Sequence, residues 1–145
     1  MEINLSSQVL RGEPSLSIII PAFNEEGNLE AAVNTVRKAI DDKFSDYEVL
    51  IFNDCSADKT GIIADTIAAR DKHVKVIHNS QNMGFGYNYN KGVEIASKDF
   101  VAMVPGDNEI PGESLQKIFE GIGKADIVIP YVANPAIRPL SRRMI

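Results

Sequence analysis

The sequence predicts an α/β fold: a mostly parallel sheet with helices on both faces. Two observations carry this expectation. Short runs rich in Val, Ile and Leu alternate with longer segments of helical period, and the polar residues gather where the apolar runs stop. Alternation of this kind is what parallel strands joined by crossover helices produce.

Residues 1–14 show no clear period and read as a tail or arm. Strands are expected at 16–20, 49–52, 74–77, 100–104 and 127–129, because these runs are too short for helices and too uniformly apolar for a half-exposed sheet. Between them, Leu29, Val33, Val36 and Ile40 fall on one helical face, as do Leu115, Ile118, Phe119 and Ile122. Asn28, either Ser56 or Asp58, and Ser114 are the expected helix N-caps. Phe85, Tyr87 and Tyr89 have helical spacing and are expected in the core. The folded part is therefore placed at residues 15–130. Residues 131–145 carry Pro135 and Pro139 with Arg138, Arg142 and Arg143, and read as a basic segment leading towards a further, acceptor-binding part.

Composition narrows the function. The chain has 145 residues, 44% hydrophobic and 24% charged, enough for one domain that buries about two thirds of its unfolded surface. Fifteen basic residues against twenty acidic ones leave a formal charge of −5, the wrong sign for a nucleic-acid coat. One cysteine excludes a disulfide framework and a cysteine-based zinc site. No apolar run reaches membrane-spanning length and no signal peptide is evident, so a cytoplasmic location is expected.

In an open parallel sheet, ligands bind outside the carboxyl ends of the strands. Four loops rich in carboxylates, amides and glycine are delivered there: Pro21-Ala22-Phe23-Asn24-Glu25-Glu26, Asn53-Asp54-Cys55-Ser56-Ala57-Asp58, the stretch from His78 through Asn82-Met83-Gly84 to Gly86, and Pro105-Gly106-Asp107-Asn108-Glu109. One such loop is ordinary; four together favour a site. Singly they stay open. Asp54 either caps the next helix or accepts a hydrogen bond from a ligand. Asp107 and Glu109 are either solvated turn residues or oxygen ligands for a hard cation such as Mg²⁺ or Mn²⁺. The dinucleotide fingerprint fails because Tyr89 occupies its third glycine position, and no P-loop lysine follows a glycine-rich turn.

In this order the four loops resemble the nucleotide-binding half of a family 2 glycosyltransferase, with the dolichol-phosphate mannosyltransferase-like and prenyl-phosphate group nearest in flavour. The resemblance rests on Leu16-Ser17-Ile18-Ile19-Ile20-Pro21-Ala22-Phe23-Asn24-Glu25-Glu26, on Asn53 to Asp58, on Asn82-Met83-Gly84 and on the segment around Asp107. It implies a GT-A fold with a Rossmann-like sheet. It also implies that Pro21, Ala22, Asn24 and Glu25 lie near base and ribose and that Asp54 holds the base. A carboxylate suits the ring N–H of uracil or guanine and repels the acceptor that adenine or cytosine presents there, so a UDP- or GDP-sugar donor is implied. The family's metal motif is a pair of aspartates one residue apart. Here Pro105 stands in the first place and Asp107 in the second, with Glu109 two residues on as the substitute charge. Metal-assisted, inverting transfer to a polyprenyl phosphate or a saccharide is the implied reaction, with a general base beyond Ile145. Arg138, Arg142 and Arg143 are either phosphate contacts, as the resemblance implies, or a solvated tail. A truncated, non-catalytic nucleotide-sugar-binding module is the alternative. A receiver-like signalling domain is remote, because Pro21-Ala22 and Pro130-Tyr131 replace its acidic pair and its lysine.

Overall fold

The computed structural model describes residues 13–40 and 43–131. Four strands, β1 (Leu16–Ala22), β2 (Tyr47–Asn53), β3 (Val74–His78) and β4 (Phe100–Met103), form one parallel sheet in the order β3-β2-β1-β4. Helices α1 (Leu29–Ile40), α2 (Thr60–Arg70) and α3 (Phe85–Ile95) connect them, and α4 (Gly112–Phe119) follows β4. The chain steps outward from β1 to β3 and then returns to the other side of β1. The reversal of strand order, and hence the crevice, falls between β1 and β4.

Side chains alternate along the strands. Leu16, Ile18, Ile20, Val49, Ile51 and Val74 point to one face and pack with Leu29, Val33 and Val36 of α1, Ala64 and Ile67 of α2, and Leu115 and Phe119 of α4. Ile19, Leu50 and Phe52 point to the other face, with Ile77 and Met103 beside them. There α3 lies against β1 at Gly92, where a Cβ would sit 2.5 Å from Ile19 Cδ1 and within 2.9 Å of two other Ile19 carbons. Gly92→Ala should therefore push α3 off the sheet and lower stability by about 1–3 kcal/mol, the usual cost of overpacking; urea unfolding measures it.

Two residues break the apolar run of the central strands. Ser17 and Glu48 are buried on the α3 side at the amino end of the sheet. Glu48 Oε1 accepts from Ser17 Oγ at 2.8 Å and from the Ser97 N–H and Oγ at 2.7 and 2.9 Å, while Oε2 accepts from Lys75 Nζ at 2.8 Å. One carboxylate so ties β1, β2, β3 and the turn before β4. Burial opposes its charge, but the hydrogen bonds from Lys75, Ser97 and Ser17 outweigh that and hold Glu48 down to about 2.

Five expectations need amendment. No strand forms at 127–129 among the described residues: Ile127 and Ile129 are 76% and 81% exposed, and the segment pairs with neither sheet edge, β3 nor β4. β1 runs on through Pro21 and Ala22. Proline stands there just past the last assigned β1/β4 pair, Ile19↔Met103, at the carboxyl end of the strand where the sheet opens into loops. Ser114 is not a cap, since α4 starts at Gly112 after Pro111. Phe85, Tyr87 and Tyr89 are exposed, because α3 turns the stripe Gly84, Asn88, Gly92 to the sheet instead. Asn28 does open α1, its carbonyl accepting from Ala32 N–H. Neither Ser56 nor Asp58 caps α2: Lys59 holds the N-cap position, and the bond from Thr60 N–H to Asp58 Oδ1 lies one residue earlier. No helix among the described residues is long and apolar enough to cross a membrane.

Candidate functional site

The carboxyl ends of the strands turn into loops with unusual backbone geometry. Asn24, Cys55 and Asn108 all have φ near +60°, a region that costs most residues energy and that asparagine tolerates best. Gly84, φ +82°, opens α3 in a conformation natural only to glycine. Gly106 lets the loop after β4 close onto the end of β1. Its N–H donates to Pro21 C=O at 3.0 Å, and a Cβ there would lie 3.1 Å from Ala22 Cβ.

Between these loops, at the β1/β4 crevice, lies a cleft of about 370 Å³. Pro21, Ala22, Phe23 and Glu25 line it from β1, Asp54 from β2, Asn82, Gly84, Phe85 and Asn88 from the entry into α3, and Pro105, Gly106 and Asp107 from β4. All four loops singled out in the sequence contribute.

Asp54 is 3% exposed. Its Oδ1 accepts from Met83 N–H and from the Asn79 amide, and Oδ2 accepts from Gly84 N–H, each at 2.8 Å. Burial alone would raise its pKa. The bonds from Met83, Asn79 and Gly84, with the Asn88 side chain acting in the same sense, reverse that and keep it below the ordinary aspartate value. Asp54 is therefore a fixed negative charge and an acceptor at neutral pH. Asn79 Nδ2 also donates to Asn88 Oδ1 at 2.7 Å, which settles the orientation of the Asn88 amide.

Asp107 is partly exposed, and its Oδ1 accepts from Glu109 N–H at 3.0 Å. Between them Asn108 Oδ1 accepts from Thr35 Oγ1 on α1 at 3.0 Å, which anchors the loop. Three carboxylates, Glu25, Asp54 and Asp107, line the cleft without any Lys, Arg or His among the lining residues. An anionic ligand entering a site of this charge would meet repulsion unless a cation offset it. Among the described residues no three carboxylate, histidine or cysteine side chains converge as ligands for one ion. A cation at this cleft would take at most two such side chains from the described residues, a coordination that Mg²⁺ or Mn²⁺ tolerates because most of its ligands can be water or a bound anion.

Of the residues expected from the sequence, Pro21, Ala22, Glu25, Asp54 and Asp107 come together in the cleft. Asn24 and Glu109 are not in its lining. The Asn24 N–H and Oδ1 are bonded to Ser56 and Ala57 of the neighbouring loop, and Glu109 is exposed beyond Asp107. Arg138, Arg142 and Arg143 lie outside the described residues. Phe23, Phe85 and Asn88 were not expected in the site. Asn88 had a signal: it stands four residues from both Gly84 and Gly92, on the inward stripe of α3, and a buried amide there needs a polar partner.

Residues 17–142 match the family model described as glycosyl transferase family 2. Among curated relatives, the chain is 31% identical over 107 residues to the uncharacterized glycosyltransferase EpsJ of Bacillus subtilis, covering 74% of this chain and 30% of EpsJ. It is 32% identical over 134 residues to the undecaprenyl-phosphate mannosyltransferase of Micrococcus luteus, covering 88% of this chain and 54% of that protein. Among solved structures, S. aureus TarS 1-349 in complex with UDP superposes with a TM-score of 0.62 at 26% identity, over 76% of this chain and 32% of that one. The chain thus spans between about a third and about half of these proteins.

Proposed function

The chain belongs to glycosyl transferase family 2, and from that premise we propose that its cleft binds the nucleotide end of a UDP- or GDP-sugar and presents the sugar to an acceptor. The observation that carries this reading is the meeting of Asp54, Glu25 and Asp107 at the point where strand order reverses. The TarS complex holds UDP, which supports a nucleotide in the corresponding crevice here.

In this reading Asp54 accepts the ring N–H of uracil or guanine. Pro21 and Ala22, with Asn24 bracing the loop behind them, give the base and ribose a fixed wall, and Glu25 accepts from a ribose hydroxyl. Asp107, with Glu109 two residues on, would hold Mg²⁺ or Mn²⁺. When bound, that cation offsets the charge growing on the departing nucleoside diphosphate. Without such a cation, Glu25, Asp54 and Asp107 would repel the diphosphate of the nucleotide. The acceptor is a polyprenyl phosphate or a saccharide, with inversion at the anomeric carbon. The Micrococcus relative is named for undecaprenyl phosphate, which favours the former. Arg138, Arg142 and Arg143 are assigned to its phosphate and the enzyme to the cytoplasm, at the membrane face when the acceptor is a lipid.

Calorimetric titration with UDP, GDP, ADP and CDP, with and without Mn²⁺, tests the reading. UDP or GDP should bind in a metal-dependent way and the other two should bind at least about tenfold more weakly, the worth of one mismatched buried hydrogen bond. Asp54→Ala should erase that preference. Equal binding of all four nucleotides, or none, would sink the assignment. Binding with neither hydrolysis nor transfer would identify a nucleotide-sugar-binding module instead.

A further inference from the structure

β1 ends at Ala22, so the next amides have no ladder partner and would ordinarily be left to water. Here they are not. Asn24 N–H donates to Ser56 Oγ at 3.0 Å, Glu25 N–H to Thr60 Oγ1 at 2.7 Å and Glu26 N–H to Asp58 Oδ2 at 3.1 Å. The acceptors stand at every second position, Ser56 and Asp58 in the loop after β2 and Thr60 at the start of α2. That loop answers in kind: Ala57 N–H donates to Asn24 Oδ1 and Lys59 N–H to Glu26 Oε2, both at 2.9 Å. Thr60 is fully buried, and its hydroxyl donates to Asp58 Oδ1 at 2.5 Å. A hydroxyl has one proton; giving it to Asp58 turns the Thr60 lone pairs to the Glu25 amide.

We infer that Ser56, Asp58 and Thr60 are positioning residues of the cleft: they clamp the 24–26 backbone, and with it Glu25, to the loop that carries Asp54. The clamp joins two walls of the cleft, one from each of two adjacent strands, so that both arrive at the ligand already placed. It also explains the left-handed backbone of Asn24, which lets one residue both give and receive a bond across the gap. None of the three side chains lines the cleft; they act through Glu25 and the backbone beside it. Pre-organised walls bind tighter because less freedom is lost on association. This inference rests on the cleft being a nucleotide site.

The test is titration of UDP and GDP, with Mn²⁺, against the 145-residue chain and its Thr60→Val, Thr60→Ser and Ser56→Ala variants, each at a temperature where circular dichroism shows it folded. Thr60→Val keeps the shape and removes both hydroxyl bonds; it should weaken binding about five- to tenfold. Thr60→Ser should bind within about twofold of the parent, because the hydroxyl is restored. Ser56→Ala, outside the core, should weaken binding about threefold. Hydrogen exchange should quicken at the Glu25 and Glu26 amides in Thr60→Val and not in Thr60→Ser. Parent-like affinity in both Thr60→Val and Ser56→Ala overturns the positioning role alone. Failure of the parent chain to bind either nucleotide overturns the reading of the cleft and the positioning role with it.

Discussion

Asp107→Asn should abolish the metal dependence of nucleotide binding and lower any sugar transfer by at least about a hundredfold, the usual cost of removing a group that stabilises transition-state charge. The substitution is chosen because it changes little else. Asp107 Oδ1 accepts from Glu109 N–H, and an asparagine Oδ1 accepts the same bond, so the turn keeps its shape. Asn108 remains anchored to Thr35 on α1. What disappears is one negative charge on the β4 side of the cleft, where Glu25 and Asp54 stay in place. If the cation is held there, nucleotide affinity with Mn²⁺ should fall to its metal-free value while the melting temperature stays put. An unchanged difference between affinity with and without Mn²⁺ would show that the charge required by this acidic cleft enters elsewhere.

The largest effect on stability is expected at Glu48, far from the chemistry. The carboxylate is 4% exposed and receives four hydrogen bonds from Ser17, Ser97 and Lys75. A drop from 4.5 to about 2 in its pKa corresponds to about 3 kcal/mol of folding free energy. The folded-state value lies below the unfolded one, so the contribution is complete above about pH 4.5. It is lost as pH falls towards about 2. Glu48→Gln removes the charge and sets an amide N–H₂ against donors. It should cost about 3 kcal/mol at neutral pH, or about 10 °C in melting temperature, and the variant should lose less stability than the parent between pH 4.5 and 2. Parallel acid-stability curves for the two proteins would dismiss the Glu48 network as the source of this term. Lys75 is largely exposed, so Lys75→Met should cost much less than Glu48→Gln; the serines satisfy most of the carboxylate.

Strand and helix order was legible in the sequence because burial on both faces demands near-continuous Val, Ile and Leu in β1 and β2. The strands β3 and β4, half-exposed at the sheet edges, keep enough Val and Ile to stand out as short runs. The four loops were legible for a related reason: polar residues placed directly after buried strands stand at the crevice edge, and five of the seven expected cleft residues are in the lining. The run at 127–129 misled because it looks like the others. Composition marks a segment as able to be a strand, whereas pairing requires an edge within reach.

The linear chain by itself determined the fold class, the family and the clustering of Pro21, Ala22, Glu25, Asp54 and Asp107, since each follows from local pattern at fixed spacing. Tertiary structure alone decided the rest. It set the order β3-β2-β1-β4 that opens the crevice beside Asp107, brought Asn88 to the cleft floor, bared the aromatic side of α3, and bound Asn24 to Ser56 across 32 residues. Such contacts join segments distant along the chain, and hydrogen-bond geometry between them depends on how strands align, a quantity that no window of neighbouring residues contains.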